Sequence, residues 1–461
     1  MTGTYDIKNG RKVKSFDLSS KTDKMKAMLT KILLVNPPIY DFAAYDFWLK
    51  PYGMLSVAGF VRGKTDFALF DYLDRCHPFV KAQPKLTDDQ WGRGRFYEEK
   101  TAQPSCLINI PRFFRRFGLP RNLFQEFLKS QTPSDFAFIS TTMTYWYLGV
   151  VEVIEDIRSF WPKTKIILGG NYVTLCPDHA GKLNADLLIK GNHLESLWKY
   201  LNIEPSLNQP PLWEAYPELK TGVLKLADGC PFNCTYCSVP KVYGQFKPRP
   251  LERSLAELEL LIKLGAKNIA FYDDALLYDA ENVLVPFLNE VIKRKIVVNF
   301  HTPNALNARF VTQELANLMV TAGFKTLYLG FESSSADWQQ QTGSKVFAAE
   351  LADAVQYLKN AGVDGNNITV YQILGHPLSD SKQLEETMYF VNSLGVRGML
   401  ADFSPIPGTP DGDICSRWVN ISEPLMHNKT AFPIITMGFN ETNSLKDIQR
   451  KLNRQIERPS A

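Results

Sequence analysis

Between Val223 and Phe403 the chain alternates six times between short apolar runs and amphipathic stretches. The runs lie at Val223 to Leu226, Asn268 to Phe271, Ile296 to Phe300, Thr326 to Leu329, Thr369 to Leu374 and Gly398 to Phe403; Ser254 to Leu264 and Ala348 to Asn360 are two of the stretches between them. Continuous apolar runs bounded by turn residues mark strands buried on both faces, and a strand followed by a helix returns as a parallel neighbour. Six such units predict a partial (β/α)6 barrel of the TIM type over residues 221–405, with its chemistry at the carboxyl ends of the strands.

A looser alternation precedes it. Ile32 to Val35 stops at Asn36-Pro37-Pro38, and further runs lie at Phe67 to Phe70, Phe136 to Ile139, Ile166 to Leu168 and Asp186 to Ile189, with a helical stretch from Gly149 to Phe160. This α/β pattern predicts an N-terminal Rossmann-like parallel sheet domain over 31–201, carrying an insertion at about 74–134. Pro205, Pro210, Pro211 and Pro217 make 202–220 a linker. Residues 1–30 form a polar, lysine-rich N-terminal extension, and 406–461 a C-terminal extension without a clear period.

A length of 461 residues, 45% hydrophobic and 22% charged, accommodates two such domains with full cores. Lys plus Arg number 52 against 48 Asp plus Glu, a net charge of +4, which gives no support to a nucleic-acid or membrane partner. Without a signal-peptide core or an apolar run of spanning length, the expected location is cytoplasmic. Seven cysteines, an odd number, argue against a disulfide framework. Cys76, Cys106, Cys176 and Cys415 are scattered and are expected to be free and replaceable.

The other three crowd into Cys230-Pro-Phe-Asn-Cys234-Thr-Tyr-Cys237, a C-x3-C-x2-C string that chance placement would give roughly 0.002 times per chain. Structural zinc wants four ligands, and no neighbouring Cys or His pair completes the set. An iron-sulfur electron carrier normally closes every position. Three thiolates on one loop suit a 4Fe-4S cluster with one iron open to a small molecule.

The string and its place after the first barrel strand resemble the radical S-adenosylmethionine (SAM) superfamily. The resemblance implies that Cys230, Cys234 and Cys237 ligate the cluster, that the open iron takes SAM, and that one-electron reduction yields a 5′-deoxyadenosyl radical. It places Tyr236 along the adenine, and Asp273 or Asp274 where the family usually has Gly-Gly-Glu for the SAM ammonium. Glu332 and Ser333 match the ribose and methionine contact, and Gly375 the turn against adenine. Asn304 is a candidate SAM or substrate contact, and His301 and His376 are expected near the barrel mouth.

In the first domain, Ser140-Thr141-Thr142 after one strand and Gly169-Gly170 after the next resemble the cobalamin-binding domain. That resemblance implies Ser140, Thr142, Gly169 and Gly170 beside the cofactor's tail, with Tyr145, Asn171 and Tyr172 packing below the corrin. The Asp-x-His-x-x-Gly mark is absent; His77 has the wrong spacing. The insertion's Gly92-Arg-Gly-Arg95 and Pro111-Arg-Phe-Phe-Arg-Arg116 read as a surface face or as a basic, aromatic lid.

Together these resemblances imply a cobalamin-dependent radical SAM enzyme that is methyltransferase-like. It would act on an unactivated carbon or phosphorus of a small-molecule or peptide substrate, with a one-electron reductant such as flavodoxin or ferredoxin. The alternative is a radical rearrangement or cyclisation without methyl transfer. No catalytic side chain is assigned.

Overall fold

The computed structural model describes residues 29–457; residues 1–28 of the expected extension lie outside the described residues. Five strands, β1 (Thr30–Asn36), β2 (Thr65–Asp71), β3 (Phe136–Thr141), β4 (Lys165–Gly170) and β5 (Leu187–Ile189), form a parallel sheet in the order β2-β1-β3-β4-β5. Both faces are covered, which is why β1 reads as one apolar run. Leu33 and Val35 pack with Val150, Val153 and Ile157 of the helix Tyr147–Phe160, while Ile32 and Leu34 join a core shared with the second domain. The strand order reverses between β1 and β3, and their carboxyl ends bound the crevice where open α/β sheets take ligands.

The second sheet has β6 (Thr221–Leu224), β7 (Asn268–Phe271), β8 (Asn299–His301), β9 (Phe324–Glu332), β10 (Ile368–Leu374) and β11 (Arg397–Asp402), each parallel to the next. β6 and β11 remain edges, so the barrel is open. Each expected run supplies one strand. Helix ends follow local chemistry: Thr312 caps Gln313–Ala322 by accepting from the Leu315 N–H, and Gly323 closes that helix in the left-handed region.

The interior of the open barrel is filled partly by the first domain. Trp48 stacks on His301 at 4.4 Å, and its Nε1 donates to the Trp91 carbonyl at 2.9 Å. Arg93 donates to the Tyr328 hydroxyl at 2.8 Å, while Gly92 lies against Thr221 and Asn268, the first residues of β6 and β7. The Gly92-Arg-Gly-Arg95 motif is therefore a plug at the amino end of the barrel, not a lid over its mouth. In the second basic motif, Arg116 is buried in an ion pair with Glu152 at 2.7 Å and lies in Arg115–Phe117, the central strand of a small antiparallel sheet with Ile39–Asp41 and Glu98–Lys100.

Two expectations change. The stretch 202–220 is a packed connection: Trp213 is buried and donates to Glu257 at 3.2 Å, and the Tyr216 hydroxyl donates to Asp71 at 2.5 Å. Proline content registers the turns but not these docked aromatics. The C-terminal extension ends in a helix, Phe439–Glu457, whose Asn453 side chain both donates to and accepts from the backbone of Gly398 on the edge strand β11, at 2.9 Å each. Its buried face is Thr442, Leu445, Gln449 and Leu452, half polar, so the helical period is faint in the sequence. No helix among the described residues is long and apolar enough to cross a membrane.

Candidate active site

The cysteine loop leaves the carboxyl end of the first barrel strand and is pinned on several sides. The Cys230 N–H donates to the Gly244 carbonyl and the Thr235 N–H to the Thr342 carbonyl, and the Thr235 hydroxyl donates to Asp411 at 2.6 Å. Cys237 Sγ accepts from the Val239 N–H at 3.5 Å. Burial raises all three thiols, Cys237 to about 11, and the neighbouring Lys345 ammonium opposes this at each. Among the described residues no three His, Cys, Asp or Glu side chains converge on a single-ion site. Zinc would need its sulfurs about 2.3 Å from one point. A 4Fe-4S cluster takes each thiolate on a different iron, and three cysteines on one loop are a donor set that suits it.

Around the loop, the adjacent acids separate. Asp273 is 3% exposed and its carboxylate accepts from the N–H groups of Leu226 and Ala227 at 2.7–3.1 Å, bracing the first barrel strand. Burial raises it to about 7, against the pull of Lys225 and those donors. Asp274 keeps a buried oxygen, Oδ2, that lies 3.5 Å from Lys225 Nζ and has no hydrogen-bond partner among the described residues. Of the two, Asp274 is the one with acceptor capacity to spare.

Glu332 ends β9 in the left-handed region, with φ at 71°, just where the register with β10 shifts, and its Oε1 lies 3.4 Å from Lys345 Nζ. A non-glycine residue there costs about 1–3 kcal/mol, and such strain gathers at ligand sites. Ser333 is buried, with its hydroxyl accepting from the Ser335 N–H at 3.2 Å. Tyr236 stacks on Trp338 at 5.9 Å and meets the edge of His376 at 6.1 Å. Trp338 Nε1 donates to His376 Nδ1 at 3.1 Å, so the proton sits on Nε2 and points to Asp411 at 2.9 Å. Thr235, Asp411, His376, Trp338 and Tyr236 thus form one network that locks the cysteine loop, and His376 is consumed by it. Gly375 has φ at 81°, and a Cβ there would meet Pro433 at 2.9 Å, so protein packing alone already demands glycine.

His301 lies away from the mouth, deep in the barrel. Both ring nitrogens are occupied, by Thr326 at 2.7 Å and Asn268 at 3.1 Å, and burial lowers its pKa to about 3. Asn304 is exposed and donates to the Tyr272 carbonyl at 3.0 Å, steadying the turn into Asp273-Asp274.

On the first domain, the β1/β3 crevice opens as a cleft lined by Asn36, Lys50, Ser140, Thr142, Trp146 and Tyr172 among others. The hydroxyls of Ser140 and Thr142 make no bond within the described residues, whereas Thr141 donates to the Gly169 carbonyl at 2.8 Å and ties β3 to β4. Gly170 has φ at 113°, and a Cβ would come 2.0 Å from the Thr141 carbonyl oxygen; Gly169 has only ordinary contact with Ile189. Tyr172 walls the cleft, its hydroxyl 2.6 Å from His179 Nδ1. Tyr145 is 1% exposed behind Trp146, its hydroxyl unpartnered among the described residues. Asn171 turns away from the cleft residues to the barrel, accepting from the Tyr243 hydroxyl at 3.1 Å.

The C-terminal segment bridges both regions. His427 lies 2.9 Å from Thr144, Asn428 donates to Asp41 at 2.8 Å, and Ser404 donates to the His427 carbonyl at 2.6 Å. Sequence reasoning missed Lys225, Lys345, Trp338 and Asp411. Lys225 stands next to a recognised strand and was findable; the other three reach the site from helices and loops whose position only the fold supplies.

Residues 224–391 match the model of the Radical SAM superfamily. The chain is 26% identical over 191 residues to an uncharacterized methyltransferase of Pyrococcus horikoshii, covering 41% of this chain and 40% of that protein. It is 25% identical over 281 residues to the threonylcarbamoyladenosine tRNA methylthiotransferase MtaB of Thermotoga maritima, covering 57% and 64%. The chain thus spans less than two thirds of either relative's length. Among solved structures, the radical S-adenosylmethionine methyltransferase TsrM from Kitasatospora setae, with cobalamin and a 4Fe-4S cluster bound, superposes with a TM-score of 0.61 at 13% identity, covering 85% of this chain and 78% of that one. The cobalamin-dependent S-adenosylmethionine radical enzyme OxsB gives 0.54 at 14% identity, covering 97% and 64%. At these identities the likeness is one of fold.

Proposed function

We propose that this chain, which carries a radical SAM domain over residues 224–391, is a cobalamin-dependent enzyme that methylates an unactivated carbon, or a phosphorus, of a small-molecule or peptide substrate. The observation that carries this reading is the arrangement of two ligand-ready sheet ends in contact. The three-thiol loop and the β1/β3 cleft both lie at strand carboxyl ends, and the Tyr243–Asn171 hydrogen bond ties the helix after the loop to the segment after β4. When bound, the cluster with SAM supplies one-electron cleavage of a sulfonium, and cobalamin supplies a methyl carrier.

The residues divide the remaining work. Cys230, Cys234 and Cys237 hold the cluster and leave one position open. Asp274 accepts from the SAM ammonium through Oδ2, the oxygen that faces Lys225, and Lys345 pairs with the SAM carboxylate while keeping Glu332 aimed at the ribose. Tyr236 offers its ring to adenine, held by Trp338 and the His376–Asp411 pair. Ser140, Thr142, Gly169 and Gly170 line the tail side of the corrinoid, with Tyr172 behind them. A substrate would enter between the barrel mouth and the cleft, and a low-potential one-electron protein such as flavodoxin or ferredoxin would supply the electron.

The test is anaerobic turnover of the reconstituted enzyme followed by mass spectrometry. A product heavier by one methyl group, with equal amounts of 5′-deoxyadenosine and S-adenosylhomocysteine, is expected. A product altered without gaining a methyl would move the chain to radical rearrangement or cyclisation, and no SAM cleavage by a cluster-loaded protein would overturn the reading.

A further inference from the structure

The cleft between β1 and β3 carries one charge. Lys50 lines it, no carboxylate does, and Lys50 is 8% exposed. Its ammonium lies 4.9 Å from the Tyr216 ring and has no ion pair or hydrogen bond among the described residues. Its backbone N–H donates to the Tyr272 hydroxyl oxygen at 3.2 Å, so the barrel fixes where this lysine stands.

Asp46 and Asp71 attract the ammonium across the interior, but neither lies within ion-pair distance of it among the described residues, and both carboxylates are bonded to other donors. Asp71 accepts from Asn36 at 2.7 Å, from the Leu73 N–H at 2.8 Å and from Tyr216. Asp46 accepts from the Leu49 N–H at 2.7 Å and from Arg75 at 3.3 Å. Those carboxylates offset part of the cost of holding the ammonium out of water, and a ligand that brings a direct acceptor would recover the rest. The rest of the lining sets the ligand's class. Ser140 and Thr142 add neutral hydroxyl donors, and Trp146, Tyr147 and Tyr172 provide aromatic walls. One cation, neutral donors, no acid and flat apolar walls suit a phosphate attached to an aromatic base.

We propose that Lys50 anchors the phosphodiester of the corrinoid's nucleotide tail, an inference that rests on the cobalamin reading above. Lys50 is a binding residue and takes no part in the methyl transfer.

The test is absorbance titration of the full chain with two corrinoids: hydroxocobalamin, and cobinamide, which keeps the corrin ring but lacks the phosphate and base. Wild type should bind cobalamin at least about tenfold more tightly than cobinamide, the value of a hydrogen bond to a charged partner. Lys50→Met should weaken cobalamin by that factor, leave cobinamide unchanged and so erase the preference; Lys50→Arg should retain most of it. A Lys50→Met protein that keeps the wild-type preference overturns the proposal and leaves Lys50 to another anion, such as one on the substrate. Equal weakening of both corrinoids also overturns it. Failure of the wild type to bind either corrinoid would instead remove the cobalamin reading itself.

Discussion

The Tyr243 hydroxyl donates to Oδ1 of Asn171 at 3.1 Å, and through it the helix Val239–Tyr243, which follows the cysteine loop, rests on the turn after Gly169-Gly170. The same neighbourhood is built from both sides: Gly191, beyond β5, lies against the Val242 carbonyl. Tyr243→Phe removes one partly buried hydrogen bond, worth about 1 kcal/mol. Denaturant unfolding should register that loss, while iron content stays at the wild-type value because no cysteine is disturbed.

The acidic pair after β7 should separate cleanly by mutation. Asp274→Asn removes the negative charge beside Lys225 while leaving the Asp273 hydrogen bonds in place, so the folded, cluster-loaded variant should bind SAM about tenfold or more weakly by equilibrium dialysis. Asp273→Ala strands the buried N–H groups of Leu226 and Ala227 and should cost about 1–3 kcal/mol of stability. If both variants lost only SAM affinity, the division of roles drawn from their hydrogen bonds would be wrong.

Much of the architecture was legible beforehand because most barrel strands read as short apolar runs buried on both faces, the usual pattern of a parallel sheet; the edge strand Arg397–Asp402 is mostly part-exposed. The cysteine string was legible because its chemistry is local. What stayed hidden depends on contacts across the chain. Nothing about Trp48 or Arg93 in sequence says that they fill a barrel beginning more than a hundred residues later. Gly375 was read as a ligand-side turn, yet Pro433 fills the space in front of it. Lys345 has no motif of its own, and gains meaning only from standing beside Glu332 and the thiols.

The barrel plug makes a stability prediction independent of any cofactor. Trp48→Ala opens a cavity against His301 and Trp91, and a buried tryptophan truncated in this way costs about 3–5 kcal/mol. Loss of stability with the cluster still assembled in the folded fraction is expected. A change within about 0.5 kcal/mol would mean that the plug is not packed as described.

His301 should govern part of the acid sensitivity. Its pKa falls from 6.5 to about 3 on folding, because burial excludes the charged ring. The stabilisation from keeping it neutral is complete above pH 6.5 and is lost as the pH falls from 6.5 towards 3. Between pH 7 and pH 5 this one group should remove about 2 kcal/mol from the apoprotein. Denaturation midpoints at the two pH values should therefore diverge less in His301→Gln than in wild type; an unchanged divergence would show that the ring titrates normally.

The central claim is that one chain holds an open-site iron-sulfur cluster and a corrinoid side by side. The most direct measurement is anaerobic absorbance spectroscopy with iron, sulfide, cobalt and zinc analysis of the reconstituted protein, set against the Cys230→Ala/Cys234→Ala/Cys237→Ala variant. The account predicts about four irons and four sulfides with one cobalt per wild-type chain, and a variant that loses the iron and keeps the cobalt. Zinc in place of iron, or a wild-type protein that takes up the cluster but no corrinoid, would contradict it.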